Sequence, residues 1–284
     1  MSASAAMVNE VELVPVQTIA VISGKGGAGK SCLAVNLAVS LSELGRRVIV
    51  FDADFAKGNV DSLMNIKPAF NLAHVMSGEK QLHEVLFEGP AGVTVVPGAN
   101  GVIEMARMSQ FQHADLIGLF SNLGIDADTM VIDCASGLSD CLLINSRAAR
   151  EVLLVVSDEP TALQDAFSTI SALNKMCGVR RIRIVANQVE TSQQGLDLYV
   201  KLMKYAERHL DILLDYCGSI PFDAQLQQAV KQQQLVVVAH PRSAAAMALK
   251  KLAARVDKWP RPQSPEGHVE FFVERLIKTD NEAW

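Results

Sequence analysis

Residues 19–31 read Ile19-Ala20-Val21-Ile22-Ser23-Gly24-Lys25-Gly26-Gly27-Ala28-Gly29-Lys30-Ser31, and this stretch decides the fold. An apolar run ends in a glycine-rich loop, and Leu33 to Leu44 then follows a helical pattern. Strand, glycine loop and helix in that order form the context a phosphate-binding loop requires. The glycines allow backbone N–H groups to turn inward around an anion without Cβ clashes. The helix N-terminus adds its partial positive charge. In such a loop Lys30 reaches the β- and γ-phosphates, and the Ser31 hydroxyl coordinates Mg²⁺. The nucleotide-binding candidates are therefore Gly24, Lys25, Gly26, Gly27, Ala28, Gly29, Lys30, Ser31 and Cys32.

Working outward, Gly45 is a good stop for the first helix. Val48-Ile49-Val50-Phe51 is a continuous apolar strand of the buried parallel type, and it ends in Asp52-Ala53-Asp54. Carboxylates at the C-terminal end of such a strand sit where α/β sheets bind ligands. Short helices are expected over 62–87, then a turn at 88–90, a strand over 93–96 and a helix over 112–123. Thr129-Met130-Val131-Ile132-Asp133 is another apolar strand with a terminal aspartate, the form in which a carboxylate holds Mg²⁺ through water. Gly137, just beyond it, can let the backbone swing towards a γ-phosphate. Strands over 152–156 and 183–187 and helices over 161–176, 224–232 and 243–256 continue the alternation. Strands alternating with helices predict one doubly wound α/β domain with a mostly parallel sheet over 16–258.

Composition narrows the class. Hydrophobic residues make up 49% of the 284, ample for a core buried on two faces of a sheet. The net charge of −5 advertises no nucleic acid. The cysteines Cys32, Cys134, Cys141, Cys177 and Cys217 are scattered without a CxxC, which fits reduced cytosolic thiols. No apolar run reaches about 18 residues, so no membrane span is expected. Residues 1–15 read as a loose tail without the features of a signal peptide. Residues 259–267 read as a Pro-rich linker. Beyond it, Val269, Phe272, Val273 and Leu276 fall on one stripe, widened by Phe271, and predict an amphipathic helix over 268–278. Its polar face is mixed, with Glu270 and Glu274 against Arg275 and Lys278. Contact with the cytoplasmic membrane and packing on the protein's own body or a partner both remain open.

Lys25 adds a second resemblance. A lysine near the loop's start, in K-G-G-x-G-K-[ST], is the deviant Walker A signature, so the chain resembles the MinD/ParA group of P-loop ATPases. The resemblance implies an ATP- and Mg²⁺-dependent homodimer that sandwiches two ATP molecules, with Lys25 reaching across to the partner's nucleotide. It implies that Asp54 orients the attacking water, that Asp52 supports the Mg²⁺ shell with Asp133, and that Asn59, Ser136 and Gly137 are switch residues. It further implies that Asn187, Pro221 and Asp223 line the adenine pocket, although Asp223 serves equally well as a helix cap.

Within that group, residues 147–161, His240-Pro241-Arg242-Ser243 and Gly267 to Leu276 look like the FlhG/FleN flagellar-number ATPases. That resemblance implies a slow switch ATPase, cytoplasmic or peripheral on the membrane face and at the cell pole. It would restrain flagellar number by opposing a FleQ/FlrA-type transcriptional activator or by stimulating an FlhF-type GTPase. The D-Q-A-x-x-L-R segment through which some members engage that GTPase has no counterpart in residues 1–16, and Phe55-Ala56-Lys57-Gly58-Asn59 departs from the usual D-L-G-L-A-N. Division-site ATPases like MinD and DNA-segregation ATPases like ParA are the alternatives. The second is favoured only by the basic residues Lys250, Lys251, Arg255, Lys258 and Arg261. Cys134 and Cys141 lack the context of a shared Fe–S cluster.

Overall fold

The apolar runs become the strands of one eight-stranded sheet in a computed structural model that describes residues 14–99 and 101–281. The strands are β1 (Gln17–Ile22), β2 (Val48–Ala53), β3 (Phe87–Glu88), β4 (Thr94–Val96), β5 (Thr129–Cys134), β6 (Glu151–Ser157), β7 (Arg181–Val189) and β8 (Leu213–Pro221). The helices are α1 (Lys30–Glu43), α2 (Val60–Leu63), α3 (Leu72–Met76), α4 (Ile103–Ala106), α5 (Gln110–Ser121) and α6 (Asp140–Ala148). They continue as α7 (Pro160–Cys177), α8 (Ser192–His209), α9 (Ala224–Lys231), α10 (Val236–Ala239), α11 (Ala244–Val256) and α12 (Val273–Asn281). The strand order is β3-β4-β2-β5-β1-β6-β7-β8, parallel throughout except for the short edge strand β3.

Period two along the strands feeds two cores. Ile19, Val21, Val48 and Val50 point to the side packed with α1 and α11, whereas Ala20, Ile22, Ile49 and Phe51 point to the side packed with α5 and α6. The sheet is thus covered on both faces, as a parallel sheet requires. Leu33 to Leu41 of α1 are buried on every side because the helix lies between the sheet and α11. It stops as expected at Gly45, whose φ of 91° lets its N–H reach the carbonyl of Ser42 at 2.9 Å.

The chain order turns at β1, which lies between β5 and β6. Ligands bind at such a switch point, beyond the C-terminal ends of the strands. The register there pairs Asp52 of β2 with Asp133 of β5, and Asp133 with Val21 of β1. Two carboxylates far apart in sequence thereby lie side by side under the glycine loop.

Several elements differ from the expectation. Strand β3 falls where a turn was expected, strand β8 and helices α4, α6 and α10 were not foreseen, and α5 starts two residues earlier, capped by the Ser109 hydroxyl. In the tail, the helix expected over 268–278 begins only at Val273. The reason is local: Phe272 has φ of 57°, a left-handed turn that interrupts any helix. That turn drives Phe271 and Phe272 into the sheet-side core, where Phe272 meets Phe120 at 5.8 Å and Phe271 meets Phe51 at 6.0 Å between ring centroids. Leu276 is buried with them, while Val269 is 51% exposed and lies outside the stripe. Buried Arg275 donates to the carbonyls of Leu123, Ile125 and Ala127 at 2.8–3.0 Å. In this state the apolar stripe packs on the protein's own body. The expectation for residues 1–15 falls outside the described residues up to Leu13. No helix among the described residues is long and apolar enough to cross a membrane.

Candidate nucleotide site

The glycine loop is shaped by its own backbone and by the elements packed against it. Gly27 and Gly29 have φ of 85° and 81°, conformations that L side chains rarely adopt. Gly24 lies so close to α7 that an added Cβ would sit 2.6 Å from the backbone carbon of Asp165. The loop is also held from β7: Asn187 donates to the carbonyl of Ala28 at 2.7 Å and Gln188 to that of Gly27 at 3.2 Å. Asn187 was read as an adenine contact; here its Nδ2 holds the loop while the residue also lines a smaller cavity with Pro221 and Asp223. Gln188 was missed, and only its place beside Asn187 could have suggested it.

A cavity of about 540 Å³ is lined by Gly26 to Cys32 together with Asp54, Asn59 and Ser136. The structure therefore brings the loop, the aspartate beyond β2 and residues of both expected switches to one place. Gly137 has φ of 76° and donates its N–H to the Ser23 carbonyl at 3.0 Å. Asp54 accepts from the Lys57 N–H at 3.0 Å.

Beneath the cavity lies the charged floor. Lys30 forms a buried ion pair with Asp133 Oδ1 and donates to Ser31 Oγ at 3.2 Å. Burial pulls the Lys30 ammonium down most strongly, but the charge and hydrogen bond of Asp133, with the nearby Asp54 charge, together hold the pKa above the ordinary value. Burial raises Asp133 as well, against the pull of Lys30. Asp52 stands well above the usual carboxylate range because it is buried and faces the charge of Asp133. Three aspartates thus share one buried lysine. Asp133 Oδ2 is buried without a hydrogen-bond partner among the described residues. An orphaned carboxylate oxygen beside a serine hydroxyl and a second buried carboxylate is a donor set that suits a hard cation such as Mg²⁺.

Lys25 lies at the rim. It is paired with Glu159 and donates to Thr161 Oγ1 at 3.0 Å, so this lysine is held by its own chain. Glu159 was missed as a site residue, since nothing in its local pattern ties it to a loop 134 positions away. Pro221 and Asp223 line a smaller cavity of about 100 Å³ with Gly29, Cys32 and Asn187. Asp223 also caps α9 through the Gln225 N–H at 2.8 Å and accepts from the Ala245 N–H at 2.9 Å, so it acts as a helix cap. Val269, Phe271, Phe272, Val273 and Leu276 lie elsewhere; of their neighbours, Phe51 directly precedes Asp52. Burial pushes the Cys32 thiol up to about 11 and Cys141 up to about 12.

The family described as "ParA: NUBPL iron-transfer P-loop NTPase" matches residues 15–257. The chain belongs to the MinD/ParA family of P-loop NTPases. MinD/ParA membership supports ATPase activity and explains the paired lysines of the loop. Two relatives match over most of the chain. The antiactivator FleN of Pseudomonas aeruginosa is 47% identical over 264 residues, covering 93% of this chain and 94% of its own. The flagellum site-determining protein YlxH of Helicobacter pylori is 30% identical over 268 residues, covering 92% and 89%. Among solved structures, the septum site-determining protein MinD of Pyrococcus horikoshii, complexed with Mg-ADP, superposes with a TM-score of 0.71 at 25% identity. It covers 86% of this chain and 96% of its own. The MinD/ParA chain is thus the same doubly wound fold.

Proposed function

We propose that this chain is an ATP-dependent dimerising switch that restrains flagellar number, acting as an antiactivator of a flagellar transcription regulator. The observation that carries this reading is its 47% identity, over nearly the whole of both chains, to the antiactivator FleN. An activator of the FleQ/FlrA type is the proposed partner, with an FlhF-type GTPase and the cytoplasmic membrane surface as further candidates.

The chemistry follows from the site. Phosphates would lie in the loop's backbone N–H groups, and Lys30 would exchange Asp133 for their charge. Ser31, Asp133 and Asp52 would hold Mg²⁺, whose charge would offset that of the phosphates. Asp54, buried in the cavity wall, would orient the attacking water. Asn59, Ser136 and Gly137 would report the γ-phosphate, as order–disorder switches do. Lys25 would leave Glu159 and serve the partner subunit's nucleotide, as an arginine finger does. Residues 1–15, 259–267 and 268–278 would then be appendages of one ATPase domain.

Counting flagella per cell tests the reading. A deletion strain is complemented with the wild type or with Lys30→Ala. Excess flagella cured only by the wild type support it. Unchanged flagella with misplaced septa, or with lost chromosomes, would move the same switch to division or DNA segregation.

A further inference from the structure

Opposite the nucleotide end, a second cleft of about 650 Å³ opens beside the N-terminal ends of β6 and β7. Its walls come from the C-terminal ends of α6 and α7 and from residues 260–268. Five arginines line it against two glutamates, in a chain whose net charge is −5.

Both glutamates are already neutralised. Arg183 holds Glu151 with two bonds of 2.7 and 2.8 Å, and Arg150 bridges Glu266 at 2.9 Å and Glu270 at 2.7 Å. Arg181 leans on Asp215 at 3.6 Å. Arg147, Arg180 and Arg261 are exposed and form no ion pair with any described residue. A helix C-terminus accounts for Arg147, which lies in the last turn of α6. It does not account for Arg261, which belongs to no helix. Guanidinium forks match carboxylates in bidentate geometry. Leu213, 50% exposed, also lines the cleft and offers an apolar contact.

We propose that this cleft docks an acidic segment of a partner protein, carrying aspartates or glutamates around one apolar side chain. Two features disfavour other polyanions. No phenylalanine, tyrosine or tryptophan lines the cleft, so single-stranded nucleic acid would have only the His268 ring and guanidinium planes to stack on. The arginines line a concavity, which a flat lipid surface does not enter. A segment held there leaves the nucleotide end of the sheet uncovered.

The test is fluorescence anisotropy of the full chain with a short labelled peptide, one leucine flanked by glutamates and aspartates. An uncharged glutamine version serves as comparison. The wild type should bind the acidic peptide saturably, more weakly as salt rises, and the glutamine version at least about tenfold more weakly. Arg147→Glu/Arg180→Glu/Arg261→Glu should weaken the acidic peptide at least about tenfold. Lys67→Glu/Lys201→Glu/Lys204→Glu, the same charge change at exposed positions outside the cleft, should leave it unchanged. Unaltered thermal unfolding of both variants confirms that they fold. The proposal is overturned if the wild type does not bind, or if the arginine reversal binds as well as the wild type. It is overturned equally if the reversal abolishes binding of oligodeoxythymidine or phosphatidylglycerol vesicles while sparing the peptide.

Discussion

Replacing Phe272 by glycine should harm the protein less than replacing it by alanine, the reverse of the usual order. The ring is fully buried and meets Phe120 at 5.8 Å, with the Arg275 guanidinium 4.7 Å above it. Deleting such a ring costs about 3–5 kcal/mol. Both variants lose it equally, so the difference between them lies in the backbone. Phe272 has φ of 57°, where a Cβ costs about 1–2 kcal/mol. Glycine escapes that strain but brings about 0.5–1 kcal/mol of extra unfolded-state entropy. The glycine variant should therefore be the more stable by roughly 0.5–1 kcal/mol. Residues 271–281 can detach before the rest unfolds, so hydrogen exchange along α12 is the sharper assay, with urea titration alongside. Both variants should lose protection, glycine less. If the alanine variant proves the better protected, the left-handed turn is not what holds Phe272 in the core.

Four further outcomes follow from the site. Lys30→Ala should abolish nucleotide binding; undiminished ATP affinity in a titration would refute the role of the buried lysine. Asp54→Ala should still bind ATP and accumulate as a dimer by light scattering, because the residue proposed to orient water is gone while the loop is intact. Glu159→Gln should change unfolding free energy by less than about 0.5 kcal/mol, since its pair with Lys25 is exposed, yet shift ATP-dependent dimerisation to lower protein concentration by freeing Lys25. Asp52→Asn addresses pH. The folded state raises the Asp52 pKa, so between the unfolded and folded values the native state binds more protons and its stability falls as pH rises. The neutral variant escapes that loss, so its advantage in nucleotide-free urea unfolding should grow as pH rises above about 4; an advantage independent of pH would contradict it.

What could be read from residues alone was whatever lies within one strand–loop–helix unit. The loop from Gly24 to Ser31, the aspartates ending β2 and β5, and Gly45 all announce themselves through neighbours a few positions away. What could not be read depends on contacts between distant segments. The Lys25–Glu159 pair and the hold of Gln188 on Gly27 span 134 and 161 positions. Helix α6 escaped notice because Asn145 and Ser146 share its buried face with Leu142 and Leu143, which blurs the apolar period. The tail showed a true helical stripe, but its period cannot reveal that Phe272 turns left-handed and sends two rings inward.

The lateral pairing of Asp52 with Asp133 has a consequence for how such a chain can vary in length. Side chains alternate faces along a strand, so one residue inserted within β2 would bring Phe51 or Ala53 opposite Asp133 and turn the carboxylate to the wrong side of the sheet. The same insertion in an exposed connection clear of Asp54, Asn59, Ser136 and Gly137, such as 77–81 or 232–234, would be absorbed on the surface. Insertions and deletions among functional versions of this chain should therefore cluster in those connections. The six residues of β2 and the six of β5 should keep their count, whatever apolar side chains fill them.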